Sequence, residues 1–262
     1  MVTRKARSTG AESGPVVETV LHFIIPVYNK EGSLARNIGA LDDYLGTRLG
    51  RPYEIVLSDD GSTDGSARRA KEMAAANPRL RAVGYPDNRG RGAAVKFAAE
   101  SCPEGVVIYA DLDFPQTSGL GAIPEMAGRL ANSPVVIGSR FRAESVTKRL
   151  WRRSLVGRVH RAAVRLVFPQ LDVSDPDMGF KGFRQPEFGR LNRLSRMNRW
   201  SWDLEVLVIA RRNGVGIDEL PVDWREGYEE YSTAVRLLRD SREELGGMLA
   251  IRKNLRRGRY DF

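Results

Sequence analysis

The chain has 262 residues, 42% of them hydrophobic and 29% charged, with a formal net charge of +9. That length supports one large domain with a sizeable core, and the composition excludes a collagen-like or largely disordered chain. No apolar run approaches the roughly 18 residues that a membrane-spanning helix needs; the densest, Val20 to Val27 and Val106 to Ala110, have the length of strands.

Residues 1–18 are rich in Gly, Ser, Arg and Glu without periodicity and read as a flexible tail. Val20 to Val27 predicts a strand buried on both faces, followed by a helix over 32–49 whose Leu34, Ile38, Leu41 and Leu45 share one side. A strand over 53–58 stops at Asp59-Asp-Gly-Ser-Thr-Asp64, and a helix over 66–76 follows. Then come a strand over 80–85, a helix over 93–101 and a buried strand over 105–110. Alternating β and α implies a mostly parallel, Rossmann-like sheet with helices on both faces. Past Pro124 the pattern loosens into a helix to Ala131, a strand over 135–138 and a basic stretch over 147–168. A loop and short strand over 172–184, a helix over 202–212 and a strand over 217–224 complete the domain, expected to span 19–230. Residues 231–262 read as a basic C-terminal helical extension broken by Gly246-Gly247.

The single cysteine, Cys102, excludes an internal disulfide, and the first residues lack the apolar core of a signal peptide. The expected compartment is the reducing cytoplasm. Two distant histidines, His22 and His160, argue against a His-built zinc site, so any metal should be Mg²⁺ or Mn²⁺ held by carboxylate oxygens. Eight of the nine excess positive charges lie after residue 145.

In an open parallel sheet, ligands bind beyond the carboxyl ends of the strands. Three polar clusters stand at such ends: Pro26-Val-Tyr-Asn-Lys-Glu31, Asp59 to Asp64, and Asp111-Leu-Asp113. Each alone could be turn chemistry; three successive strand exits of this kind are harder to explain so. Asp111 and Asp113 alternate to one side and suit a divalent cation bridged to a diphosphate, whose departing charge the ion would offset. Asp59 or Asp60 can accept hydrogen bonds from a base or ribose. Arg89 and Arg91, within Asn88-Arg-Gly-Arg-Gly92, make a plausible phosphate cradle. It is no dinucleotide fingerprint, because the third glycine of that pattern falls on Val95.

With Gly138-Ser-Arg140, these motifs in this order resemble the family 2 inverting glycosyltransferases of the GT-A fold. Asp175-Pro-Asp-Met-Gly-Phe-Lys181 and Trp200-Ser-Trp-Asp203-Leu-Glu205 resemble the branch of polyprenyl-phosphate (dolichyl-phosphate) hexosyltransferases, and coverage runs from about Val20 to the Arg-rich end. The resemblance implies transfer of a hexose from a nucleotide sugar, of UDP-glucose or GDP-mannose type, to a polyprenyl phosphate. It places Pro26, Tyr28, Asn29, Glu31, Asp60 and Glu205 at the nucleotide sugar, Asp111 and Asp113 at the metal and diphosphate, and Arg140 at the acceptor phosphate. Asp113, Arg140, Asp175 and Asp203 are the implied catalytic set, and Asp175, Asp177, Asp203 and Glu205 are candidates for gripping sugar hydroxyls or ordering the site. A phosphate monoester, with a second pKa of about 6, is already largely dianionic at neutral pH, so such an acceptor needs no general base. A rival acceptor, a saccharide or other soluble hydroxyl, would need one of those four carboxylates as base.

Between Val146 and Leu166 there are seven basic residues and no acidic one. Trp151, Leu155, Val159, Ala162 and Leu166 recur on one side, with Arg158, Arg161 and Arg165 on another, so the segment suits an anionic bilayer. Arg152 and Arg153 are further candidates for the acceptor phosphate. The expected location is peripheral, on the cytoplasmic face of the membrane. Nucleic acid is not an expected partner: the charge carries no groove-binding or stacking motif and accounts for none of the acidic strand ends.

Overall fold

The computed structural model describes residues 20–102, 104–117, 119–148, 151–225 and 234–262, excluding the side chains of 116–117, 148, 151–156 and 234–242. The expected tail over 1–18 and the side chains of Arg152 and Arg153 lie outside the described residues.

In β1 (Leu21–Val27), Phe23 and Ile25 point to one face and Ile24 to the other, and all three are buried, so both faces require cover. α1 (Glu31–Arg48) covers one with Leu34, Ile38, Leu41 and Leu45. β2 (Tyr53–Asp60), α2 (Ser66–Ala76), β3 (Leu80–Tyr85), α3 (Arg91–Glu100) and β4 (Val106–Ala110) continue the alternation, with β1 to β4 paired in parallel. α3 begins at Arg91, two residues earlier than expected, because Gly90 makes the break at φ 105° and brings the chain against Asn198 and Arg199.

α4 (Phe114–Thr117), α5 (Ala122–Arg129), β5 (Val135–Ser139), β6 (Thr147–Lys148) and α6 (Trp151–Val167) lead to β7 (Phe180–Arg184). β7 enters the sheet between β4 and β5, antiparallel to both, giving the order β3-β2-β1-β4-β7-β5-β8. α7 (Glu187–Leu194), α8 (Trp202–Arg212), β8 (Ile217–Pro221), β9 (Trp224–Arg225) and α9 (Ala234–Arg256) follow. The single strand expected over 217–224 is two: β8 closes the sheet beside β5, while β9 pairs with β6 in a small separate ladder.

Two expectations are corrected. α9 runs unbroken through Gly246-Gly247, since Gly247 is where the helix approaches Ser201 too closely for any side chain. The end of α9 packs into the core: Met248, Ile251 and Tyr260 are buried with residues of α3 and α8. On α6, Val159, Ala162 and Leu166 face solvent together with Arg158 and Arg165, while Val164 turns into the core. The apolar and basic residues thus share one exposed face, and Arg161 is not on it.

Candidate active site

The first two strand exits are stapled together. Asn29, at φ 52°, accepts the Thr63 backbone N–H at 2.8 Å through Oδ1, and Lys30 N–H donates to Ser66 Oγ at 2.7 Å. Glu31 accepts Gly65 N–H at 3.1 Å and Arg68 at 3.0 Å. Asn29 and Glu31 therefore hold the rim of the crevice, beside the exposed Tyr28 ring and half-buried Pro26. Asp60 is buried, and its carboxylate accepts Tyr85 Oη–H at 2.7 Å, Asn88 Nδ2 at 3.0 Å, Arg89 N–H at 2.8 Å and Gly90 N–H at 2.9 Å. It folds the Asn88–Gly90 loop, and its bonds are filled from within. Asp59 differs: Oδ2 takes Ser62 N–H at 3.1 Å, while Oδ1 is buried without a hydrogen-bond partner among the described residues. Arg89 is exposed and lies over the Tyr85 ring.

Deeper in, the carboxyl end of β4 and the amino end of β7 meet because β7 is antiparallel. Asp111 accepts Arg91 Nη1 on both oxygens, at 2.7 and 3.0 Å. Arg91 also donates to Asp203 and stacks over Trp200, 4.3 Å from the ring centre. Gly179 lies so close to Asp111 that a Cβ there would overlap the carboxylate. The other oxygen of Asp203 accepts the fully buried Lys181 at 2.7 Å, and Lys181 also donates to Met178 O at 2.5 Å. Burial, reinforced by the Arg91 charge, pushes the Lys181 ammonium below its usual range.

Arg140, just past β5, grips Asp175 with Nε at 2.7 Å and Nη2 at 2.8 Å, and its backbone N–H adds a third bond at 3.0 Å. Asp177 lies 3.0 Å from His160 of α6, whose other ring nitrogen is 3.3 Å from Glu244 of α9. Burial alone would lower the His160 pKa, but these two carboxylates outweigh it and raise it.

These groups surround a cavity of about 330 Å³. Arg91, Arg140, Asp175, Asp177 and Asp203 line it as expected neighbours, joined by Phe141, His160, Arg161 and Glu244, none of which the sequence pattern places at the site. Their signal lies in the helical phase: His160 and Arg161 fall off the exposed face of α6. Glu205 does not reach the cavity. It is fully buried, with Oε2 accepting Ser195 Oγ and the N–H groups of Arg196 and Met197 at 2.8–2.9 Å, and Oε1 accepting Tyr260 at 2.5 Å. The expectation that it binds the nucleotide sugar gives way to a structural role, since each oxygen is already occupied.

Asp113 is half-buried beside Asp111. The pair offers hard oxygen donors of the kind Mg²⁺ and Mn²⁺ take. A second cluster, His22, Glu54 and Cys102, sits at the amino ends of the strands, away from the crevice. There Arg81 donates to both Glu54 oxygens at 2.7 and 2.9 Å and approaches Cys102 at 3.5 Å, just as Arg91 donates to both oxygens of Asp111 in the crevice.

The chain is similar to known glycosyltransferases. Over 220 residues, 83% of this chain, it is 30% identical to the glycosyltransferase AglD of Haloferax volcanii. It is 27% identical to the dolichyl-phosphate beta-glucosyltransferases of Saccharomyces cerevisiae and Homo sapiens, over 80% and 79% of the chain. The chain spans 34% of the Haloferax protein and about two thirds of the other two. Glucosyl-3-phosphoglycerate synthase from Mycobacterium tuberculosis, solved with Mn²⁺, UDP and glucosyl-3-phosphoglycerate, shares the fold at TM-score 0.64 and 18% identity, with 89% of this chain and 80% of that one covered. The family model described as glycosyl transferase family 2 matches residues 22–190, and the chain belongs to that family.

Proposed function

We propose that the protein transfers a hexose from a nucleoside-diphosphate sugar to a polyprenyl phosphate, with inversion at the anomeric carbon. The observation that carries this reading is the state of the cavity's carboxylates. Asp175 is gripped by Arg140, Asp203 by Lys181 and Arg91, and Asp177 and Glu244 both flank His160. Each has a basic neighbour engaging its oxygens: against burial, His160 holds the Asp177 carboxyl below its usual range, and although burial pushes Asp203 up to about 7, both of its oxygens are taken by Lys181 and Arg91. A hydroxyl acceptor would need one of them as a base; a phosphate dianion attacks unaided. The names of the dolichyl-phosphate relatives support the same acceptor class.

The nucleoside would lie along the β1 and β2 exits, where the unpartnered Asp59 Oδ1 is placed to accept a base N–H. Asp111 and Asp113 would hold Mg²⁺ or Mn²⁺, which when bound offsets charge on the departing diphosphate. Arg91 orients Asp111, and Lys181 fixes Asp203 under the cavity floor. Positioning and fixed charge would supply most of the rate. The exposed face of α6 would rest on an anionic bilayer, with Val159 and Leu166, 64% and 82% exposed, inserted beside Arg158 and Arg165. Among the described residues no helix is long and apolar enough to cross a membrane.

The test is incubation of purified protein with radiolabelled nucleotide sugars, Mg²⁺ or Mn²⁺ and polyprenyl phosphate, followed by organic extraction. Label entering the lipid phase is expected, and Asp113→Ala should reduce it at least 100-fold while leaving the melting curve in place. Label passing only to water-soluble saccharides would overturn the acceptor assignment.

A further inference from the structure

The cavity's arginines are not equivalent. Arg91 is committed to Asp111 and Asp203, and Arg140 to Asp175. Arg161 enters the same cavity from α6, and its guanidinium has no carboxylate partner among the described residues. Its contact is instead the Phe141 ring, with the guanidinium carbon 3.4 Å from the ring centre. A guanidinium over a ring keeps its N–H groups at the edge, where they can form a fork to an anion. Neighbouring arginines 158 and 165 face solvent, so burial in the cavity sets Arg161 apart from the surface charge of its own helix.

The electrostatics point the same way. Burial weighs against the Arg161 charge, as do Arg140, Arg165 and Arg158, and only the charge of Asp175, already held by Arg140, compensates among the leading influences. A half-buried cation beside other cations is completed by an incoming anion.

We infer that Arg161, stacked on Phe141, binds the phosphate of the acceptor, while Arg140 acts chiefly through Asp175 to hold the cavity wall. The inference rests on the proposed transfer to a phosphate monoester. It moves the anion-binding role from the arginine after β5 to one on the membrane-facing helix. An acceptor held there would have its phosphate at the cavity and its chain free to follow α6 towards the exposed Val159 and Leu166.

Kinetics with farnesyl phosphate as acceptor would test it. Arg161→Gln is expected to raise the acceptor KM at least tenfold, with donor KM and donor hydrolysis by water within twofold of wild type. Arg161→Lys, which keeps the charge but not the fork, should recover part of the loss. An unchanged acceptor KM in Arg161→Gln, or an equal rise in donor KM, would overturn the assignment. If wild-type protein transfers to no polyprenyl phosphate, the proposed function fails separately. Calorimetric titration with inorganic phosphate then decides the site: weaker binding in Arg161→Gln than in wild type supports it, and equal binding rejects it.

Discussion

Gly179 shows how one missing side chain shapes the site. It lets the β7 approach pass against Asp111, whose carboxylate is in turn shared with Arg91. Gly179→Ala should displace that carboxylate and lower transfer at least 30-fold, while the unfolding midpoint moves by a few degrees at most. A variant with wild-type turnover would show that the position of Asp111 is not critical. At this scale the sequence was readable where chemistry is written in adjacent residues: the hydrophobic pattern alone sets Asp111 and Asp113 just past β4, whereas Arg140 and Asp175 are picked out by the family resemblance. It was not readable for Glu205, because a carboxylate on an amphipathic helix looks the same whether it faces a ligand or accepts Tyr260 and three loop donors. Nor could spacing show that the Asp60 oxygens would be filled by the loop 28–30 residues later.

Among elements, His160 is the joint between α6, the loop carrying Asp177 and α9. A histidine whose folded pKa is raised adds stability in full below its unfolded value of 6.5 and loses it as pH rises through the folded value. α9 should therefore loosen from the cavity as the solution is taken from pH 6 to above that folded value. Amide exchange over residues 243–256, corrected for intrinsic rates, is expected to accelerate across that range. In His160→Gln it should be fast already at pH 6 and change little; identical profiles for the two proteins would exclude the joint. Strand and helix order was legible from the alternation of buried runs. The continuity of α9 was not, because Gly246-Gly247 reads as a break unless the tight approach to Ser201 is known.

For the whole molecule, charge and apolar exposure coincide on α6, the element that also supplies His160 and Arg161 to the cavity. Val159→Asp with Leu166→Asp should abolish sedimentation with vesicles containing phosphatidylserine, which in wild type should weaken with added salt. Transfer to water-soluble farnesyl phosphate should be retained within about threefold, which separates docking from chemistry. Retained vesicle binding would move the docking face elsewhere.

The reversed strand β7 carries a cost during biosynthesis. β4 and β5 are joined only through it, so the apolar rim of β4 has no neighbour on that side until residue 184 has been made, more than seventy residues after β4 ends. At roughly 5–20 residues per second, a nascent chain leaves that rim open for several seconds. A ribosome stalled before residue 180 would hold a half-sheet with a free template edge, the species most in need of a chaperone.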